Sequence, residues 1–291
     1  MKKPKLTEID LDSLTWIIAS VQFKAGNRDR PQEVKNHVNR FIDTLLLRTE
    51  AEYYCLVYQA VGHKNFRKYY HPDYKSNRGD KPEFIELWAS TIMEAYDEAG
   101  GVALYTIESD DALGIMNHRY KDKYEITMVS SDKDLKTIPG RHWNVNKKID
   151  EALTVMSVKD ATLFWAVQML TGDWSTDRII GCAHLEELER KSGVNKGQKY
   201  MARKGIGPVA AKKMLSRVKS NRDITKVLHG AYQDEFGEHW YKEFKKASML
   251  VTMLRDFPSD YIFDVDRNVE FKINPTKIVT PESLFDNGAN N

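Results

Sequence analysis

Five carboxylates lie in two tight groups near the middle of the chain. Glu108, Asp110 and Asp111 follow the apolar run Val102 to Ile107, and Asp132 and Asp134 follow a second run, Tyr124 to Val129. Apolar runs this short read as buried strands. In an open α/β sheet the ends of parallel strands share one edge, and ligands bind in the crevice there. Both groups would then face one site. Two like charges about 4 Å apart repel by roughly 4 kcal/mol at an effective dielectric of about 20, while a whole domain is stable by only about 5 to 15 kcal/mol. Gathering the acids therefore demands a counterion. Oxygen donors with no neighbouring Cys or His cluster select a hard cation, Mg2+ or Mn2+, over zinc. Either group alone reads as a helix N-terminus favoured by the dipole or as a solvated turn; two groups, each behind an apolar strand, point to a metal site. Asp10 and Asp12, after a weak strand ending at Ile9, form a third group, and Asp173 and Asp177, four positions apart, a fourth.

The elements that position these acids follow from apolar spacing. Residues 31–48 repeat apolar side chains at helical intervals behind Pro31, residues 53–58 read as a strand, and residues 82–99 as an amphipathic helix ended by Gly100 and Gly101. Ser13 is placed to cap a first helix and Ser157 to cap a helix over 157–170. Strand, helix, strand with short gaps is the crossover pattern of a parallel sheet. Residues 223–255 are helical by pattern, with Phe236, Trp240, Tyr241, Phe244, Met249 and Leu250 inward, and the polar tail 280–291 is expected to be loosely held.

At 291 residues, 41% apolar and 11% aromatic, the chain is long enough for one large domain or two modest ones, and its composition is that of a folded protein. A formal charge of +2 implies no polyanion partner by itself; the distribution does. Residues 63–81 set six Lys or Arg against two Asp, with Phe66, Tyr69, Tyr70 and Tyr74 interleaved, a mixture that suits phosphates and bases of a nucleic-acid strand or, equally, a solvated loop folding its tyrosines onto the core. From Arg190 to Lys219 there are ten Lys or Arg and no acid. Such a block is a phosphate-backbone footprint. Inside it, KGIGPVAAKKML places a Gly-X-Gly turn before a helix whose free amides can hold a phosphate or whose turn carbonyls can help hold a cation. Cys55 and Cys182 do not suggest a disulfide framework, no apolar stretch reaches 18 residues, and no signal sequence is evident, so a soluble, intracellular, cytoplasmic protein is expected.

Taken in order, IDLDSL, YKSNR, ESDDALG, VSSDKDLKTIPG, LTGDWSTD and GIGPVAAKKML resemble the motifs of the flap endonuclease and 5′-3′ exonuclease superfamily, and look most like the stand-alone 5′-3′ exonucleases of bacteriophages. The resemblance covers residues 8 to about 220. It implies an α/β, PIN-like or Rossmann-like, mostly parallel sheet flanked by helices, with a helical arch and a helix-three-turn-helix DNA-binding element. The catalytic domain would span 1–180 with the arch around 63–99, the DNA-binding region 181–255 and a C-terminal extension 256–291. Asp10, Glu108, Asp110, Asp111, Asp132, Asp134, Asp173 and Asp177 match the family's metal ligands. Lys75 and Arg78 match cations that contact the scissile phosphate, and Tyr74 is placed to stack on a terminal base. Lys204, Gly205, Gly207, Lys212 and Lys213 fall in the DNA-gripping turn, where a K+ ion often sits.

The resemblance further implies two Mg2+ or Mn2+ ions, DNA with 5′ ends, flaps or nicks as partner, a monomer, no membrane, and, for a phage-encoded protein, the cytoplasm of an infected bacterium. The chain departs from the family pattern in three places. Leu11 stands where a Gly usually follows the first Asp, no carboxylate lies between Gln59 and Phe66, and about twenty extra residues, Cys182 to Lys204, precede the Gly turn. A catalytically inert DNA-binding protein of the same fold and a PIN-type ribonuclease are the rival readings.

Overall fold

The computed structural model describes residues 2–26 and 30–276, and along its first half strands and helices alternate. The order is β1 (Lys5–Asp10), α1 (Asp12–Lys24), α2 (Pro31–Arg48), β2 (Tyr53–Gln59), α3 (Phe66–Tyr70), α4 (Glu83–Glu98), β3 (Val102–Leu104), α5 (Ser109–Tyr120), β4 (Glu125–Ser130), β5 (Gly140–Asn144), α6 (Ile149–Ala152), β6 (Leu153–Met156) and α7 (Val158–Thr171). The strands form one sheet in the order β3-β2-β1-β4-β5-β6, parallel throughout except for β6. The chain winds outward from β1 in one direction and then from β4 in the other. The switch point between β1 and β4 opens a crevice at the strand C-termini.

Alternation along the central strands divides the core in two. Ile9, Leu56, Tyr58 and Val129 pack under α1, α2 and α4, while Leu6, Cys55, Val57, Ile126 and Met128 pack under α5. Helix α4, expected within the arch, buries Ile85, Trp88 and Ile92 in the first of these cores. Its amphipathic face is satisfied there, so the segment free to cover the site is the stretch 63–82, with α3 its only α-helix. Strand β3 ends at Leu104 rather than running to Ile107, because the buried Asp266 carboxylate takes the amides of Tyr105, Thr106 and Ile107 at 2.6–2.9 Å. Ser157 caps α7 as expected. Leu11, not Ser13, stands at the N-cap of α1; the Ser13 hydroxyl is drawn instead to Asp10.

After α7 come an antiparallel ribbon, β7 (Ala183–Glu189) and β8 (Lys199–Gly205), and three helices, α8 (Pro208–Leu215), α9 (Asn221–Phe236) and α10 (Trp240–Val251). The Gly turn is thus entered from a strand where the helix-turn-helix expectation puts a helix. Met169, Leu170, Leu215, Leu228, Tyr232 and Leu250 make a third core. Within 223–255 the helix breaks at Gly237, φ +54°, and Tyr241, expected inside, is exposed. The chain then returns along the α5 face, where Phe263 and Phe271 are buried, through α11 (Asp264–Arg267) to β9 (Asn274–Pro275), which pairs with β2. The tail 280–291 lies outside the described residues.

Candidate metal centre

Asp10 ends β1 at the switch point. Its carboxylate accepts from the Ser13 hydroxyl at 2.6 Å, the Ser130 hydroxyl at 2.8 Å and the Asp12 amide at 3.0 Å. Burial, followed by the neighbouring Asp12 and Asp132, still pushes it up to about 7. Asp12 turns toward β2, which has no acid after it, and accepts from the Gln59 amide at 3.1 Å and the Ser109 hydroxyl at 2.5 Å. Its carboxylate therefore occupies the end of the strand that the sequence left bare. Burial raises it, with the Glu108 charge adding and the Lys81 charge subtracting.

Glu108, Asp110 and Asp111 sit at the start of α5, where the helix dipole and free amides favour negative charge. One carboxylate oxygen from each lies within 4.8 Å of the others. Their surroundings differ. Asp111 is fully buried, and both its oxygens are held by the Arg67 guanidinium at 2.6 and 2.9 Å. Arg67 also reaches Glu108 at 3.0 Å and the Thr252 carbonyl at 3.1 Å, and the Leu254 amide donates to Asp111 at 3.0 Å. Glu108 further accepts from the Tyr74 hydroxyl at 3.0 Å and from the Lys75 ammonium. Burial pushes Glu108 up, but the Lys75 and Arg67 charges more than offset this and leave it at about 2. Asp110 has neither cation bonded to it. Burial and the charges of Glu108, Asp111 and Asp132 hold it well above the usual carboxylate range.

Asp132 follows β4, and Asp134 opens a 3-10 turn over Asp134–Thr137. Asp134 accepts from the Gln168 amide at 2.5 Å and stands at about 6, raised by burial and by Asp132. Asp173 and Asp177 lie in the loop after α7. The Lys133 ammonium joins Asp173 to Asp134, which is 3.6 Å away. Burial raises Asp173, but the Lys133 bond and charge bring it below its ordinary value. Asp177, buried, takes the Arg78 guanidinium at 2.6 Å, and its carbonyl accepts the Lys75 amide at 3.0 Å. Lys75 holds φ at +57°, in the left-handed region that side chains avoid; this odd turn accompanies an ammonium directed back onto Glu108.

The acids are thus linked by charge along the strand ends: Asp10 with Asp12 and Asp132, Asp12 with Glu108, Asp110 with Glu108, Asp111 and Asp132, and Asp134 with Asp132, Asp173 and Asp177. Among the described residues, Asp10, Asp12, Asp110 and Asp132 carry no ion pair, and the carboxyls of Asp10, Asp12, Asp110 and Asp134 are raised first by burial and then by neighbouring acids. An all-oxygen donor set with unmet negative charge fits a hard divalent cation. The Glu108, Asp110, Asp111 group accommodates one, with Asp110 its open donor and the other two oriented by Lys75 and Arg67.

Tyr74 is a correction. Its ring is buried with the third core, its hydroxyl donates to Glu108 and the Lys75 ammonium lies 4.9 Å from the ring centre, so it presents no open face to a terminal base. In the sequence Arg67 is only one of six basic residues in its stretch; nothing in its neighbours marks it as the buried partner of Asp111.

Beyond the crevice, α8 exposes Lys212 and Lys213. Lys204 is exposed and pairs with Glu186 at 2.8 Å. A Cβ on Gly205 would collide with Ala183, so the ribbon can close only on glycine there; at Gly207 a Cβ would meet nothing, leaving the backbone open at the N-cap of α8. The Arg203 guanidinium takes the carbonyls of Ile180 at 2.6 Å, Leu170 at 3.0 Å and Ile206 at 3.1 Å. Of these carbonyls only that of Ile206 belongs to the Gly turn, so the built-in cation takes one of the turn's oxygens.

Residues 20–163 match the family model described as 5'-3' exonuclease, N-terminal resolvase-like domain. Comparison with curated proteins gives no significant match. Among solved structures, the chain is similar to the bacteriophage T5 5'-exonuclease with bound zinc, at 14% identity, TM-score 0.53, over 85% of this chain and 100% of that one. The T5 D15 protein co-crystallised with metal ions gives 13%, 0.54, 85% and 100%, and a bacteriophage T5 D15 flap endonuclease in a pseudo-enzyme-product complex with DNA and metal ions gives 13%, 0.52, 85% and 99%. At such identities the likeness is one of fold. Among the described residues no helix is long and apolar enough to cross a membrane. Over residues 20–163 the chain is thus similar to the 5'-3' exonuclease N-terminal domain family, and it shares the fold of these phage T5 proteins.

Proposed function

We propose that this protein is a divalent-cation-dependent nuclease on DNA, a 5′-3′ exodeoxyribonuclease that also cuts 5′ flaps. The observation that carries the reading is the convergence of acids from separate elements on one sheet edge, with two cations, Lys75 and Arg78, ion-paired onto its rim. Two ions suit the arrangement of the acids. Glu108 and Asp110, set beside the Arg67-bound Asp111 and joined by Asp10 and Asp12, would hold one, and Asp132, Asp134, Asp173 and Asp177 the other, where Lys133 already supplies one positive charge. Such ions supply an activated water and charge for the leaving 3′ oxygen.

The chain's own residues do the rest. Arg67 fixes Asp111 and Glu108, so the α5 acids are oriented before any substrate arrives. Lys75 and Arg78, held on Glu108 and Asp177, stand where they would neutralise charge building on a bound phosphate. The exposed Lys212 and Lys213, the open backbone at Gly207 and the helix N-terminus behind it suit a sequence-independent hold on the duplex backbone. The partner is then DNA with a 5′ end, flap or nick, bound by a monomer. At the Gly205–Gly207 turn, the Arg203 guanidinium on the Ile206 carbonyl would supply the positive charge that a K+ ion otherwise brings.

Incubation of 5′-labelled duplex and flap DNA with Mg2+, Mn2+, Ca2+ or chelator tests the reading. Cleavage is expected with Mg2+ and Mn2+ only, with mononucleotides from exonucleolytic and an intact flap from endonucleolytic action. Asp110→Ala and Asp132→Ala should abolish cleavage while DNA binding persists or tightens, since both remove repulsion. Near-normal Mg2+-dependent cleavage by Asp110→Ala would overturn the site assignment; binding without cleavage by the unaltered protein would favour the inert alternative, and RNA cut in preference to DNA the ribonuclease.

A further inference from the structure

The ribbon β7–β8 is not needed to complete any of the three cores. Its outer two-thirds touch solvent on both faces, every residue from Glu187 to Met201 is exposed, and Leu188, Val194, Tyr200 and Met201 are apolar among them. An isolated two-stranded ribbon is marginal in water, and one that exposes apolar side chains is an aggregation hazard. Something beyond packing must account for its form.

Its charges are arranged unevenly. Near the root, acids and bases cancel, Glu186 with Lys204 at 2.8 Å and Glu187 with Lys199 at 2.7 Å. The tip, 190–198, holds Arg190, Lys191 and Lys196 and no acid. Gly193 and Gly197, at φ +82° and +85°, shape the turn, and the Arg190 guanidinium lies 5.0 Å from the centre of the Tyr200 ring. The root is rigid. Arg203 bonds three carbonyls that belong to the end of α7, the loop before β7 and the Gly turn, and β8 runs straight into Gly205. At roughly 3.3 Å per residue, seven-residue strands carry the basic tip about 20 Å from that turn.

We infer that the ribbon is a second duplex-binding arm, whose tip cations Arg190, Lys191 and Lys196 contact phosphates of the same DNA duplex that is held at the Gly205–Gly207 turn. A two-stranded ribbon is narrow enough to enter a groove of B-DNA, and three cations against one neighbouring acid, Glu189, whose carboxylate lies beside Gly197, leave the tip a net positive charge that matches a polyanion. An acidic protein surface is the competing occupant. The inference rests on the DNA reading of the Gly turn and α8.

Salt titration of binding to a long blunt duplex, in Ca2+, tests it. Each phosphate contact contributes about 0.9 to the slope of log affinity against log salt. The triple variant Arg190→Ala, Lys191→Ala, Lys196→Ala should reduce that slope by about 2 to 3 and weaken binding at fixed salt, with Lys191→Glu, Lys196→Glu weakening it further. Thermal melting controls for folding, since these tips reach solvent. As an internal comparison, Lys212→Ala, Lys213→Ala should lower the slope by about 2. If the α8 variant lowers it and the tip variants do not, the arm is refuted while the DNA reading stands. If neither does, both are overturned.

Discussion

Arg67 illustrates how much a single side chain decides here. A guanidinium with no exposure holds two carboxylates by three bonds of 2.6–3.0 Å, and breaking a buried pair from one side typically costs about 3 to 5 kcal/mol because the partner charge is stranded. Arg67→Ala should therefore lower stability in urea by about that amount. Arg67→Lys, which cannot make the fork, should fold better but bind Mn2+ weakly, as read by calorimetry. Lys75→Ala should lower turnover by roughly 100-fold, the usual loss for one electrostatic contact to a reacting group, with little change in DNA affinity.

Glu8 makes the opposite case. It lies fully buried in β1 with no hydrogen-bond partner for either oxygen, and burial holds it well above its ordinary value. The fold therefore keeps it neutral. Its stability is fully present below the unfolded value of roughly 4.3 and is lost as pH rises toward the folded one. Glu8→Met should stabilise the protein by about 1 to 3 kcal/mol, with a larger gain at pH 8 than at pH 5 in denaturant titrations. The acids of the crevice were legible in the sequence because each follows an apolar run. Arg67, Asp266 and the buried Tyr74 were not, since nothing local distinguishes a paired or enclosed polar residue from a solvated one.

At the scale of elements, the central strands and long helices were legible because period 2 and period 3.6 are imposed by the faces they bury. The limits of α4 and the capping of α7 followed from Gly and Ser. The arch did not, because an amphipathic helix reads alike whether it spans a site or lies on a sheet. The ribbon was hidden too: its alternation is of charges and small apolar groups, with no buried face to sharpen it. Arg203, at the ribbon root, leads to a prediction about salts. Since its guanidinium already sets a fixed positive charge on the Ile206 carbonyl of the Gly turn, duplex affinity in KCl and in NaCl at equal ionic strength should agree within about twofold, a difference of under about 0.5 kcal/mol. Selective tightening in K+, measured by fluorescence anisotropy, would refute this.

Across the whole molecule, the α5 end of the site is closed by parts of the chain that follow Glu108 and Asp111 by more than a hundred residues. Thr252 and Leu254 bond Arg67 and Asp111, and Asp266 ties down the three residues ahead of Glu108. Asp266→Ala strands these buried amides and should cost about 3 to 5 kcal/mol in urea, several times the roughly 1 to 3 kcal/mol of one unsatisfied donor being partly relieved by water. Order of synthesis gives this clasp a meaning. A growing chain displays its acids early, yet the groups that hold Asp111 and the segment ahead of Glu108 arrive only with residues 252–266, so the acids of α5 should gain their final orientation only after those residues have left the ribosome.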